Sequence, residues 1–214
     1  MAASLKPIKV YGRGPPNPAK VNMILEELGL PYEVADVGFP DVKKPEYLAV
    51  NPNGRLPAIH DPNTNLTLWE SGAIVEYLVE TYDKENRLSY PKGSNESYLT
   101  KQWLFYQTTG QGPYYGQAVV SGTSKLPTIA KSMRRLTILQ WFTIYHPEKV
   151  PSAVDRYVKE INRVTGVLEG HLSKQKAKAG SDGPWLVGDK ITYADIAWYL
   201  WQITIVKALS EDSE

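Results

Sequence analysis

The sequence predicts two structural halves: an α/β half over residues 1–83 and an all-helical half over residues 95–214, joined by a linker at 84–94. Three observations carry that division. Short apolar runs bounded by turn residues alternate with helical stripes as far as Asp83. The next eleven residues, KENRLSYPKGS, are polar and contain Pro and Gly. From Asn95 onward the periodicity is helical alone.

Residues 8–11 (IKVY) read as a first strand, which Gly12-Arg13-Gly14-Pro15-Pro16 breaks. Asn17-Pro18 then opens a helix, with Asn17 placed to cap it and proline at the first helical position. Val21, Ile24, Leu25 and Leu28 give its apolar face, and Gly29 ends it. Residues 32–37 form a second strand, and residues 44–50 a short helix or turn. Asn51-Pro52-Asn53-Gly54 is a turn cluster before a short apolar strand at Leu56 to Ile59. Residues 61–65 (DPNTN) turn the chain into a strand at Leu66 and Leu68. A helix follows Glu70-Ser71-Gly72, with Ala73, Ile74, Tyr77 and Leu78 as its stripe. Strand, helix, strand, then a hairpin and a helix make a thioredoxin-like half.

In the second half, Tyr98, Trp103, Leu104 and Tyr106 begin a helix that Gly110-Gln111-Gly112-Pro113 interrupts. Residues 152–172 are amphipathic, with Val154, Val158, Ile161, Val164 and Leu168 on one face. Thr192 can cap a final helix while Asp195, three residues on, returns a bond to the Thr192 N–H, with Ile191 and Ile196 as a hydrophobic staple. That constellation is folding chemistry.

Composition narrows the function classes. The chain has 214 residues, a net charge of +1, and no cysteine. Nothing here points to a nucleic-acid partner, and a disulfide framework and a thiolate metal site are excluded. No stretch approaches 18 apolar residues, so no membrane span is expected. A reducing, cytoplasmic setting is the expectation.

Two motifs at a fixed separation carry a resemblance. Asn51-Pro52-Asn53-Gly54-Arg55-Leu56-Pro57-Ala58-Ile59, followed by Trp69-Glu70-Ser71-Gly72-Ala73-Ile74, resembles the glutathione-binding half of a glutathione transferase. The resemblance implies a cis Leu56–Pro57 bond, a Leu56 backbone that pairs with the cysteinyl residue of glutathione, and a Glu70-Ser71 pair that holds its γ-glutamyl end. Arg55, Leu56, Pro57, Glu70 and Ser71 are therefore the implied glutathione contacts. Lys44, with its neighbour Lys43, is the implied partner of the glycyl carboxylate. Pro16-Asn17-x-x-Lys20-Val21 with Leu25-Glu26-Glu27-Leu28-Gly29 is similar to the fungal class named after the yeast nitrogen-catabolite regulator. Motifs around Gln102 to Gln117 and Tyr145 to Tyr157 extend the likeness over most of the chain. In that class an Asn at the place of Asn17 is assigned to the thiol, which makes Asn17 the implied catalytic residue. Its amide NH₂ can donate to a thiolate at a helix start that favours an anion. The alternative role of Asn17 is capping alone, and Tyr11 is a rival donor inside the first strand.

The likeness implies a cytoplasmic, homodimeric enzyme of detoxification, conjugating glutathione to a hydrophobic electrophile or reducing a peroxide. Glutathione acts as cosubstrate, with no metal and no resident cofactor. The alternative is a regulator or binding module that keeps the cleft without turnover. Two departures stand out. Residues 120–140 are interposed before Trp141-Phe142 and carry four basic and no acidic residues. Their codons can spell intron donor, branch and acceptor signals in phase, the mark of a translated intron, and a genuine basic loop is the other reading. After Gln202 the continuation of the helical half that the resemblance implies is missing, and residues 203–214 are expected to form an acidic tail.

Overall fold

The structure is a computed structural model that describes residues 5–14, 16–118, 150–178 and 183–210. The expectation for residues 120–140 lies outside the described residues; of the expected tail at 203–214, residues 203–210 continue the last helix and 211–214 lie outside the described residues.

The first half is a four-stranded sheet in the order β2-β1-β3-β4. The strands are β1 (Ile8–Tyr11), β2 (Tyr32–Ala35), β3 (Ala58–Asp61) and β4 (Leu66–Trp69). Helix α1 (Asn17–Glu27) returns the chain from β1 so that β2 pairs with it in parallel, Val10 opposite Val34. Strand β3 runs antiparallel to β1, Ile59 opposite Val10, and a hairpin adds β4 at the edge. Val10 and Ile59, at the centre of the sheet, are both fully buried. The short helix α2 (Pro45–Leu48) precedes the 51–55 turn, and α3 (Ser71–Tyr82) covers the sheet.

Two boundaries differ from the sequence expectation for a physical reason. Strand β3 starts at Ala58 rather than Leu56, because Pro57 has no N–H to give a ladder. The buried face of α3 is Ile74, Val75, Leu78 and Val79, while Ala73 is exposed and Tyr77 half-buried. The stripe is rotated by about one residue, on a helix that packs against α1 as well as the sheet.

That half holds α4 (Asn95–Tyr106), a π-helical turn at Gln107–Gln111, α5 (Gly112–Ala118), α6 (Pro151–Lys178) and α7 (Tyr193–Ser210). Ser94 caps α4, its Oγ accepting the Ser97 N–H at 3.1 Å. The expected break near Gly110 is a widened turn, not an end to helix. Pro113 has no N–H to offer the Thr109 carbonyl, and the Gly112 N–H instead reaches back to the Gln107 carbonyl.

Between α3 and α4 the Asp83 carboxylate accepts from the N–H groups of Arg87 and Leu88 and from the Ser89 hydroxyl. The Tyr193 N–H donates to the Leu88 carbonyl at 2.9 Å, tying this connection to α7. Among the described residues the apolar core is continuous across both halves, from Ile8, Val10 and Ile59 to Trp103, Tyr115, Ala197 and Trp201. No described helix is long and apolar enough to cross a membrane.

Candidate functional site

The site lies where three helix ends meet: the start of α1, the start of α3 and the π-turn after α4. Small residues make that approach possible. A Cβ on Gly72 would stand 2.8 Å from the Thr108 methyl of the π-turn. A Cβ on Gly12, at φ +97°, would stand 2.7 Å from the Leu56 side chain. Glycine at these two positions lets the α3 start meet the helical half, and lets Leu56 lie over the end of β1.

Leu56 and Pro57 are joined by a cis bond, as the resemblance implies. Asn51, buried, knits the turn before them. Its Nδ2 donates to the Arg55 carbonyl at 2.7 Å, its Oδ1 accepts the Asn53 N–H at 2.9 Å, and the Tyr47 hydroxyl adds a second bond to the same carbonyl. Arg55 is thus fixed by its backbone, and its side chain is exposed. The Leu56 N–H and C=O make no hydrogen bond among the described residues.

Glu70 sits just before α3 with φ +72° and ψ 112°, a conformation that costs a non-glycine residue about 1–3 kcal/mol. It is held there while its exposed carboxylate takes a long bond, 3.4 Å, from Asn53 Nδ2. Such a residue ahead of a helix whose first N–H groups lack carbonyl partners marks a place for an anion. Ser71 is buried at the first position of α3. Its Oγ accepts from Lys20 Nζ at 3.1 Å, and Lys20 also donates to Gln107 Oε1 at 2.7 Å. Gln107 Nε2 donates to Gln111 Oε1 at 3.1 Å, and Gln111 Nε2 to the Trp198 carbonyl at 3.2 Å. One buried polar chain therefore runs from α1 to α7. Burial holds the Lys20 amine down to about 7, with the charge of Glu70 working in the opposite direction.

Asn17 corrects one sequence expectation. It is the first residue of α1, the cap position falls on Pro16, and no side chain caps the helix. The Asn17 amide is engaged elsewhere: its Oδ1 accepts the indole N–H of Trp201 at 3.1 Å. An indole can only donate, so the oxygen must face it and the NH₂ must face away. That NH₂ has no partner among the described residues. Gly116 makes room for the indole, since a Cβ there would stand 2.8 Å from the ring.

Lys44 is set apart. It is exposed and paired with Asp41 at 2.6 Å, and that carboxylate raises the pKa of the Lys44 amine. Lys43 reaches the Asn53 carbonyl at 2.9 Å, within the same turn as Asn51. Tyr11 packs on Tyr47 with ring centroids 6.1 Å apart, a packing role, and Arg13 pairs with Asp36 on the surface. The structure therefore places Asn17 on the same helix as Lys20, joins Lys20 to Ser71, the residue after Glu70, and sets Leu56 against Gly12. It adds Lys20, Asn53, Gln107, Gln111 and Trp201, which the sequence reading did not assign. Lys20 stood in the sequence as a member of the Pro16-Asn17-x-x-Lys20-Val21 motif, and it lies four residues before Ile24 on a helix face that is otherwise apolar.

The glutathione S-transferase N-terminal domain profile matches residues 16–81, and the C-terminal domain profile matches residues 133–209. The chain is 55% identical over 210 residues to the glutathione S-transferase-like protein gedE of Aspergillus terreus, spanning 98% of this chain and 84% of that protein. It resembles the crystal structure of glutathione transferase URE2P6 from Phanerochaete chrysosporium in complex with oxidised glutathione. That likeness has a TM-score of 0.76 and 46% identity, over 95% of this chain and 81% of the other. A structure of Ure2p in complex with glutathione matches with a TM-score of 0.78 and 32% identity, over 96% of this chain and 83% of that one.

Proposed function

The chain belongs to the glutathione S-transferase family, in its fungal Ure2-like branch, and from that premise we propose that it conjugates glutathione to small apolar electrophiles. The observation that carries this reading is the Asn17 amide, whose oxygen is engaged by Trp201 so that its NH₂ is free to donate. A bound thiol has a pKa near 8.5 when free, and a donor beside a helix start lowers it. The thiolate sulfur then attacks the electrophilic carbon, an S–C bond forms, and the leaving group departs with the bonding pair.

Arg55, Leu56 and Pro57 are assigned to the extended backbone of glutathione, and Glu70 and Ser71 to its γ-glutamyl end. Lys44 keeps its assignment to the glycyl carboxylate as the weakest member of the set, since a contact there must compete with Asp41. The same thiolate serves a peroxide: it attacks one oxygen, an alcohol leaves, and a second glutathione releases water and the disulfide. A second copy of the chain is the expected partner. Exposed Tyr98, Leu99 and Phe105 on α4, with Leu66 and Trp69 on the edge strand β4, are apolar residues available for it.

The test is turnover of glutathione with a dinitrophenyl halide and, separately, with a hydroperoxide, by the purified chain and by Asn17→Ala. Conjugation that collapses in the variant supports the enzyme. Glutathione binding without turnover by the unaltered chain would replace the enzyme with a binding module.

A further inference from the structure

Lys20 is the least expected residue of the site. Its side chain is 1% exposed, between α1, the start of α3 and the π-turn, yet no carboxylate forms an ion pair with it among the described residues. A buried ammonium without a partner is costly, and the group relieves that cost by giving up its proton. The donor count fits the neutral form. An amine has two N–H groups and one lone pair, and Lys20 has two acceptors, Ser71 Oγ and Gln107 Oε1. An ammonium would carry a third N–H with no acceptor among the described residues. Because Ser71 Oγ already accepts from Lys20, the Ser71 hydroxyl proton is left to donate outward, toward whatever docks at the start of α3.

Resting on the assignment of Ser71 to the γ-glutamyl end, we propose that Lys20 is a proton-coupled positioning residue. It takes up a proton from solvent when the α-carboxylate of the ligand docks at Ser71, and the resulting charge holds the Ser71 hydroxyl and that carboxylate in register. The amine lone pair receives the proton, and the buffer acid supplies it. Glu70, from the α3 start, is the charged group that bears on Lys20. It is exposed and stands beside Lys20 with or without ligand. Its hydrogen-bond partner from the π-turn, Gln107, is neutral, as is Gln111 behind it. A second carboxylate brought to Ser71 tips the balance toward the ammonium.

The sign of the linkage follows. Ligand binds the protonated form more tightly, so affinity is flat well below about pH 7 and falls as pH rises above it, by up to about tenfold per pH unit.

The experiment is titration calorimetry of the full chain with S-hexylglutathione, a thioether that has no thiol proton to release. It is run at about pH 7.5 in phosphate and in Tris, whose ionisation enthalpies differ, so that the difference in heat counts protons. With the amine near 7, roughly three quarters of a proton should be taken up per ligand. Lys20→Gln should bind more weakly with uptake close to zero. Lys20→Arg, always charged, should show no uptake and an affinity that does not change with pH. Ligand binding to the unaltered chain with no uptake would overturn the proposal and leave the glutathione site standing. Uptake that persists unchanged in Lys20→Gln or Lys20→Arg would overturn it as well. The unaltered chain decides the matter even if a variant does not fold. Absence of any binding heat would instead overturn the glutathione reading, and this proposal with it.

Discussion

Two polar clusters, both tied to α7, are built on opposite principles. At the start of that helix, Asp195 accepts the N–H groups of Leu186 and Thr192 at 2.9 and 2.8 Å and the Thr192 hydroxyl at 2.7 Å. Every partner lies within nine residues, and the cluster is closed. Burial raises the Asp195 carboxyl, and the three donors pull it back. The other cluster joins Asn17 to Trp201 and Lys20 to Ser71 and Gln107 across 184, 51 and 87 residues. Among the described residues it is left open, with a spare amide NH₂, a spare hydroxyl proton and a buried amine that lacks an ion-pair partner. The closed cluster holds the helix in place. The open one is fixed by the fold and is unfinished on the side where the proposed ligand would dock.

That contrast can be broken at four points. Asn17→Ala should have the largest effect, lowering kcat/KM for glutathione conjugation by about 10²–10³-fold, the usual consequence of removing one preorganised donor. Steady-state kinetics on a variant that still melts cooperatively checks it. Asp195→Ala should do the opposite. Leaving buried donors unpaired costs about 2–4 kcal/mol, seen as a melting point roughly 5–15 °C lower for a chain of this size, with unchanged turnover per folded molecule.

Trp201→Phe keeps the ring but removes the N–H that holds the Asn17 oxygen. It should reduce kcat/KM by about fivefold to tenfold, the rate equivalent of a hydrogen bond of ~1–1.4 kcal/mol. It should also move the pH profile of kcat/KM to higher pH, which a purely structural loss would not do. Lys44→Ala sharpens the comparison from the weak side. Its pair with Asp41 is exposed, with side chains 63% and 45% accessible, so solvent and salt screen it and it holds Lys44 only weakly. The KM for glutathione should change by less than about twofold, and a larger rise would restore Lys44 to the glycyl carboxylate.

The same contrast explains what the sequence made legible. The Thr192–Asp195 box was readable because its members are neighbours in the chain. So were the strand-helix-strand order and the cis Leu56–Pro57 bond, the last through its resemblance to a known motif. The Asn17 cap was misread for a nonlocal reason, because the oxygen that would cap α1 is taken by an indole from the far end of the chain. The widened turn at Gln107 depends on Pro113, yet its role in presenting Gln107 to Lys20 emerges only when the two halves pack. Lys20 itself showed only as a member of the Pro16-Asn17-x-x-Lys20-Val21 motif. Its partners are 51 and 87 residues away, and no local pattern names them. The positive φ of Glu70 has no sequence signature, since glycine or asparagine would ordinarily occupy such a position.

The central claim is that the spare Asn17 NH₂ faces the thiol of bound glutathione. Ultraviolet titration of the thiolate in the complex tests it directly. In the unaltered chain the bound thiol should ionise below its free value of about 8.5, and in Asn17→Ala it should return toward that value. A bound thiol that titrates alike in the two proteins would contradict the claim and leave Asn17 as a structural tether between the halves.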